Sequence, residues 1–288
     1  MEGEAAFELK DVQVGLGTRA VLQQVNLSAP IGSVTGLIGR NGAGKSTLLR
    51  LLAGREARYT GTAQVFGRKL PDAASGTVYL TAEHWPFGGD QRLRDLAHHV
   101  SRVHPNFDME RVKELLAWFD VPESRHPMAL SRGQRTAAFL SLALAARAPL
   151  TLLDEPYNGL DVPARQRFTR VLREELRMFP RTLLLSTHLV DEAEPLFQYV
   201  ALMEGGRVTA ADTVRGMITS FTRVSGPIVE VDALPRLGRL DREGAWASAV
   251  VKKGSEGDLL GKPVSLRELA DLLIGPRRDA QVDVEKGK

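Results

Sequence analysis

The feature that most constrains this chain is Gly39-Arg-Asn-Gly-Ala-Gly44-Lys45-Ser46-Thr47, an instance of G-x-x-x-x-G-K-[ST]. Ser33 to Ile38 before it reads as a buried strand, and Ser46 to Ala53 after it as a helix with Gly54 as its C-cap. A strand that passes through glycines straight into a helix converges several backbone N–H groups on one anion. The helix dipole reinforces them, Lys45 adds a point charge, and the Ser46 hydroxyl is suited to ligate Mg²⁺. Gly39, Asn41, Gly42, Ala43, Gly44, Lys45, Ser46 and Thr47 are therefore the candidate phosphate-binding residues.

Two further apolar runs end in residues with chemistry to offer. Leu150 to Leu153 leads into Asp154-Glu155-Pro156. A buried strand of this kind delivers both carboxylates to the carboxyl edge of a parallel sheet, the edge where the phosphate loop opens. Asp154 is then the candidate Mg²⁺ ligand, and Glu155 the group that orients or deprotonates an attacking water. Taken alone, the pair also fits the acidic boundary of the next helix. Thr182 to Ser186 ends in Thr187-His188, where His188 is either a packing residue or a sensor of the terminal phosphate. Leu130-Ser131-Arg132-Gly133-Gln134 opens a helix. Ser131 fits an N-cap, and the same Ser, Gly and free N–H groups fit a second anion site.

Around these motifs the pattern alternates. Up to about Val34 apolar and polar residues alternate as in an antiparallel sheet edge, with Gly15 and Gly17 as punctuation. Helical periodicity holds from about Gln91 to Asp120, and helices are predicted at Ser131 to Arg147 and Pro163 to Phe179 between the apolar strands. Alternating helix and buried strand implies an α/β fold with a mostly parallel, doubly wound sheet. The expected boundaries are a main unit at 1–220 with a helical part at about 90–145, a small α+β appendage at 221–275, and a polar tail at 276–288. Within the appendage, Ile228 to Val231 and Ala247 to Val251 read as strands and Leu266 to Ile274 as a helix.

Composition narrows the function classes. With no cysteine among 288 residues, disulfides, thiol catalysis and Cys-ligated metals are excluded. A net charge of +3 is too small to argue for a nucleic-acid partner, and none is expected. The run Ala137 to Ala146, bounded by Arg135 and Arg147, is about half the length a bilayer span needs. The acidic start, MEGEAAFELK, does not read as a signal peptide.

The motifs together resemble one family, the nucleotide-binding ATPase subunits of ABC transporters. The phosphate loop at 39–46, the LSRGQ at 130–134 that is similar to the signature LSGGQ, the LLDEP with Asp154 and Glu155, the NGLD at 158–161 that looks like the D-loop, and His188 follow in the family's order. The resemblance implies a P-loop NTPase core that binds ATP and Mg²⁺, with an inserted helical subdomain. It implies a head-to-tail pair of cassettes in which Ser131, Gly133, Gln134 and Asp161 of one subunit serve the ATP held by Lys45 and Ser46 of the other. Glu155, His188 and Lys45 become the catalytic set, and Ser46 and Asp154 the Mg²⁺ ligands. It further implies a separate transmembrane permease and a place on the cytoplasmic face of the membrane. His104-Pro-Asn-Phe-Asp, the signature start and the appendage suggest the export branch.

The chain departs from the family pattern in three places. Leu16 stands where the family has an adenine-stacking aromatic, Thr81-Ala82-Glu83-His84 where it has the Q-loop glutamine, and Arg132 where the signature has a second Gly. Glu83 is the candidate substitute at the Q-loop and a further candidate Mg²⁺ ligand. These departures keep a rival open, a nucleotide-binding regulatory cassette that relies on a different partner for hydrolysis. A soluble ABC machine of DNA repair or translation is disfavoured by the short interval between phosphate loop and signature.

Weaker signals resolve to bland readings. Gly15-Leu-Gly17-Thr-Arg-Ala20 fits a dinucleotide fingerprint but leads into no helix, so a turn is expected. Asn26-Leu-Ser28 is a sequon without secretory context. His84, His98, His99, His104 and His126 lack metal-ligand spacing. Arg165, Arg167, Arg170, Arg173 and Arg177 read as a solvated helix face offset by Glu174 and Glu175, with an acidic partner or lipid headgroups as the rival. Trp85, Pro86 and Phe87 fit core, or a groove that receives a permease helix.

Overall fold

The computed structural model describes residues 4–16, 19–56, 58–81 and 91–274. The expectations placed on Glu83, His84, Trp85, Pro86 and Phe87 lie outside the described residues. The backbone separates into two units, Met1–Val214 and Arg215–Lys288.

The first unit runs β1 (Ala5–Leu16), β2 (Arg19–Pro30), β3 (Val34–Gly39), α1 (Lys45–Leu52), β4 (Tyr59–Val65), β5 (Arg68–Lys69) and β6 (Val78–Thr81). It continues with α2 (Leu93–Val103), α3 (Met109–Trp118), α4 (Arg132–Ala146), β7 (Leu150–Asp154), α5 (Val162–Met178), β8 (Thr182–Thr187), α6 (Val190–Ala193), β9 (Tyr199–Glu204) and β10 (Arg207–Thr213). One sheet has the order β2-β1-β4-β5, and its β1–β2 and β1–β4 pairs are antiparallel. Arg19 begins a strand and not a helix, and the turn expected at Gly17 and Thr18 lies outside the described residues. The other sheet has the order β10-β9-β3-β8-β7-β6; all its pairs are parallel except β10 on β9. Strands β4, β9 and β10 were not among the expected elements. Half-polar sequences such as Arg207–Thr213 carry a weaker signal than the fully apolar runs.

The core lies between the two sheets. Helix α1 is buried there through Leu48, Leu49, Leu51 and Leu52, in one apolar cluster with Phe7, Leu9 and Leu22 of the first sheet and Leu37 and Leu152 of the second. Burying one such side chain stabilises by about 1.5–3 kcal/mol, so α1 and the phosphate loop ahead of it are anchored by packing on two faces. The charge-free run of α4 is buried from Ala137 to Ala146, which accounts for its composition without a membrane. No helix among the described residues is long and apolar enough to cross a membrane. Helices α2, α3 and α4 pack on one another as the helical part of this unit.

The second unit opens with α7 (Val214–Thr219), whose first residue precedes the division, and continues β11 (Phe221–Pro227), α8 (Ile228–Asp232), β12 (Arg236–Glu243), β13 (Trp246–Lys252) and α9 (Leu266–Ile274). Its sheet has the antiparallel order β11-β13-β12. One expectation is corrected here, and one strand stands where none was expected. Ile228 to Val231 is helical, because Pro227 ends the strand as N-cap and the turn puts Ile228 and Val231 on the same apolar cluster as Val224 and Ala249. Arg236–Glu243 is a strand despite its charges, which suit an edge strand facing solvent.

Candidate functional site

The parallel register decides which loops meet. β3 lies beside β8, and β8 beside β7, so the phosphate loop, Thr187-His188 and Asp154-Glu155 emerge from adjacent strands at one carboxyl edge. Gly42 and Gly44 have φ of 81° and 104°, values open mainly to glycine. At Gly44 a Cβ would also fall 2.9 Å from Met203 Cε and 3.0 Å from Leu22 Cδ2. The loop is fastened by Gly206 N, which donates to Ala43 O at 2.9 Å. Helix α1 has no side-chain cap and no acidic residue in its first turn. Its leading N–H groups, from Gly44 to Thr47, therefore keep the donors and dipole that bind an anion.

Lys45 is 5 % exposed. Its Nζ donates to Gly39 O at 2.7 Å and to Arg40 O at 3.3 Å, and lies 2.9 Å from Glu155 Oε1. That last contact is Coulombic, since Oε1 accepts no hydrogen bond of good geometry from the described residues. The other oxygen, Oε2, stands 2.9 Å from His188 Nδ1. Glu155 thus bridges Lys45 and His188, the three residues expected to form the catalytic set.

Two residues that the sequence reading passed over hold this arrangement. Ser186 Oγ donates to Asp154 Oδ1 at 2.6 Å and accepts from Glu155 N at 2.9 Å. Thr81 Oγ1 accepts from Asp154 N at 3.1 Å. Glu155 has φ 46°, a strained value for a non-glycine residue. Its N–H, directed to Ser186 Oγ and Ser186 O, sustains that turn and aims the carboxylate at Lys45. A hydroxyl at the end of a neighbouring buried strand is the signal that could have identified Ser186.

Mg²⁺ fits the donor set. Among the described residues no group of three or more His, Cys, Asp or Glu could hold a metal ion by itself. Ser46 and Asp154 offer hard oxygens, and Asp154 Oδ2 accepts no hydrogen bond from the described residues. Proteins commonly hold Mg²⁺ by one or two oxygens together with phosphates and water.

The signature and D-loop residues form a second cluster. Ser131 Oγ accepts from Gln134 N at 3.2 Å, and Gln134 Oε1 accepts from Ser131 N at 3.3 Å, a complete capping box. The capping reading of Ser131 is therefore realised, and the hydroxyl proton stays free to donate elsewhere. Gly133 approaches the D-loop so closely that a Cβ there would fall 2.9 Å from Gly159 O. Thr136 Oγ1 donates to Asn158 O at 3.0 Å. Asp161 caps α5, accepting from Ala164 N at 2.8 Å. No hydrogen bond or ion pair joins Ser131, Gly133 or Gln134 to Lys45, Glu155 or His188 of the same chain among the described residues.

The arginine-rich helix needs a correction. Glu175 does not offset a solvated face: it is buried between Arg111 and Arg181. Arg165 pairs with Glu192 at 2.9 Å, and Arg167 donates to Trp118 O at 2.6 Å.

Comparison with known proteins identifies a family and relatives of the chain. Residues 22–158 match the family described as ABC transporter. The ABC transporter ATP-binding protein YtrB of Bacillus subtilis (strain 168) is 26% identical over 91% of this chain and 91% of its own length. The aliphatic sulfonates import ATP-binding protein SsuB of Mycobacterium avium (strain 104) is 37% identical over 71% of this chain and 80% of its own. A solved structure titled as the ATP binding subunit of an ABC transporter superposes with a TM-score of 0.66 at 25% identity, covering 74% of this chain and 91% of that one.

Proposed function

Since this chain belongs to the ABC transporter family as an ATP-binding subunit, and is an ATPase, we propose that it hydrolyses Mg·ATP in a pair of cassettes and so powers a separate transmembrane permease. The observation that carries the catalytic assignment is the bridge of Glu155 between Lys45 and His188.

In this reading the first-turn N–H groups of α1 and the Lys45 ammonium hold the outer phosphates of ATP. Glu155 orients the attacking water and takes its proton, and His188 keeps that carboxylate aimed. Ser46 and Asp154 would hold Mg²⁺, which when bound would neutralise charge on the phosphate oxygens. The capped turn at Ser131, with Gly133, Gln134 and Asp161, serves the nucleotide of the partner cassette. The permease brings the chain to the cytoplasmic face of a membrane.

The export direction expected from the sequence has no support among the relatives, several of which are named for import, so the proposal commits to transport alone. Phosphate release by the purified chain with Mg·ATP, lost in Glu155→Gln, is the expected result. Equal rates for the two proteins would move the base elsewhere. A chain with no turnover until a different cassette is added would favour the regulatory reading that Leu16 and the Q-loop departure raise. Affinity purification from detergent-solubilised membranes should co-isolate a protein with several apolar spans, and its absence would count against the transport role.

A further inference from the structure

Far from the phosphate loop in sequence, Glu175 of α5 is 0 % exposed and its two oxygens are divided between two elements. Arg111 Nε, from α3, donates to Oε1 at 2.7 Å, and Arg181 Nη2, just before β8, donates to Oε2 at 3.4 Å. Arg181 Nη1 also donates to Leu144 O, in the last turn of α4, at 3.1 Å. Around this node Arg147, which follows α4, pairs with Asp108 at 2.8 Å and lies 3.5 Å from the centre of the Phe179 ring. Asp108 in turn caps α3, accepting from Arg111 N at 2.9 Å. Arg111, Arg147 and Arg181 are thus balanced by Asp108, Glu114 and Glu175.

Stability alone is a poor account of such a node. Burial lowers the pKa of Arg181, with Glu175 opposing that shift, and Arg181 Nε is buried with no hydrogen-bond partner among the described residues. Buried ion pairs of this kind are often no more stabilising than apolar residues of similar volume, whereas they do fix the direction in which elements pack. The elements tied here are informative. Helix α4 begins at the signature Ser131 and ends at the node, while α5 begins at the D-loop Asp161 and reaches the node with Glu175. At their other ends the same two helices are joined by Thr136 to Asn158 and by the Gly133–Gly159 approach. Helix α4 has 15 residues; at ~1.5 Å per residue, a small rotation at one end becomes a displacement of ångströms at the other.

We infer that Glu175, held by Arg111 and Arg181, is a positioning residue that sets the angle of the signature helix and thereby aims Ser131 and Gly133 at the partner cassette's nucleotide. This rests on the proposed ATPase reading, but it predicts a separation that reading does not. Nucleotide binding at the phosphate loop should survive loss of the node, whereas turnover should not.

The test compares the full chain with Glu175→Gln, Arg111→Met and Arg111→Lys, measuring kcat for ATP and the Kd of a non-hydrolysable ATP analogue. Arg111→Met should lower kcat at least fivefold and leave the analogue Kd within twofold. Arg111→Lys, which keeps a cation beside Glu175, should recover more than half of the lost rate. If Glu175→Gln fails to fold, the Arg111 pair decides, since that side chain sits nearer the surface. A kcat within twofold of the parent in Arg111→Met, equal losses of kcat and analogue affinity, or no rescue by lysine would each overturn the inference. A parent that does not hydrolyse ATP would remove the underlying reading as well, which keeps the two failures distinguishable.

Discussion

Lys45 and Glu155 form an ion pair, Nζ to Oε1 at 2.9 Å, within the loop whose composition calls for phosphate. The same ammonium is held by Gly39 O and Arg40 O, so it is fixed in place and the carboxylate is its one anionic partner among the described residues. In the proposed mechanism a phosphate and Glu155 compete for that one charge, which links binding to the freeing of the base.

Glu155→Gln removes that competitor while leaving the shape. Affinity for ATP should rise by a few-fold to about tenfold, the scale of one partly buried charge contact, while turnover falls at least ~100-fold with loss of the general base. Titration calorimetry beside a phosphate-release assay reads both; unchanged affinity would mean that the ion pair does not oppose the nucleotide.

Ser186→Ala removes the hydroxyl shared by Asp154 and Glu155. The expected loss is about 1–2 kcal/mol of stability and a roughly tenfold fall in kcat, because the Glu155 turn at φ 46° loses its side-chain support. Ser186→Thr should keep most of the activity if the hydroxyl is what matters.

Gly133→Ala puts a methyl 2.9 Å from Gly159 O. Backbone cannot yield cheaply there, so the signature turn and D-loop must separate at a cost of about 1–3 kcal/mol. ATP hydrolysis should fall while ATP-analogue binding to the isolated chain persists, and parallel loss of both would argue for general misfolding.

His104 is buried against the Tyr79 ring, and burial lowers its pKa below the ordinary 6.5, partly offset by a hydrogen bond to the Gly76 backbone. Between the lowered folded value and 6.5, the unfolded chain binds more protons than the folded one. Stability therefore rises with pH across that window and is lost as pH falls through it. Thermal unfolding from about pH 7 to about pH 5 should show a steeper loss of Tm in the parent than in His104→Gln; identical slopes would remove His104 as the cause.

The phosphate loop, its strand and its helix were legible because the relevant geometry spans few residues. Lys45 reaches Gly39 O across six positions, and glycines at 42 and 44 admit the required φ. Asp154, Glu155 and His188 were legible because apolar strands of a parallel sheet end at one edge. The strand-like reading of Ile228 to Val231 failed because β-branched residues favour strands only until a proline and an apolar cluster select a helix.

What the sequence determined by itself was the fold class, the phosphate loop and the carboxylates at the sheet edge, all set by local spacing and hydrophobic period. Tertiary structure alone decided that Ser186 supports both acidic residues, through the β7–β8 register that pairs it with Asp154. It also decided that Glu175 is a buried node, because Arg111 lies 64 positions away and only packing brings the two together. Charge along a helix is visible in a sequence. Which charges leave water is settled by what packs over them.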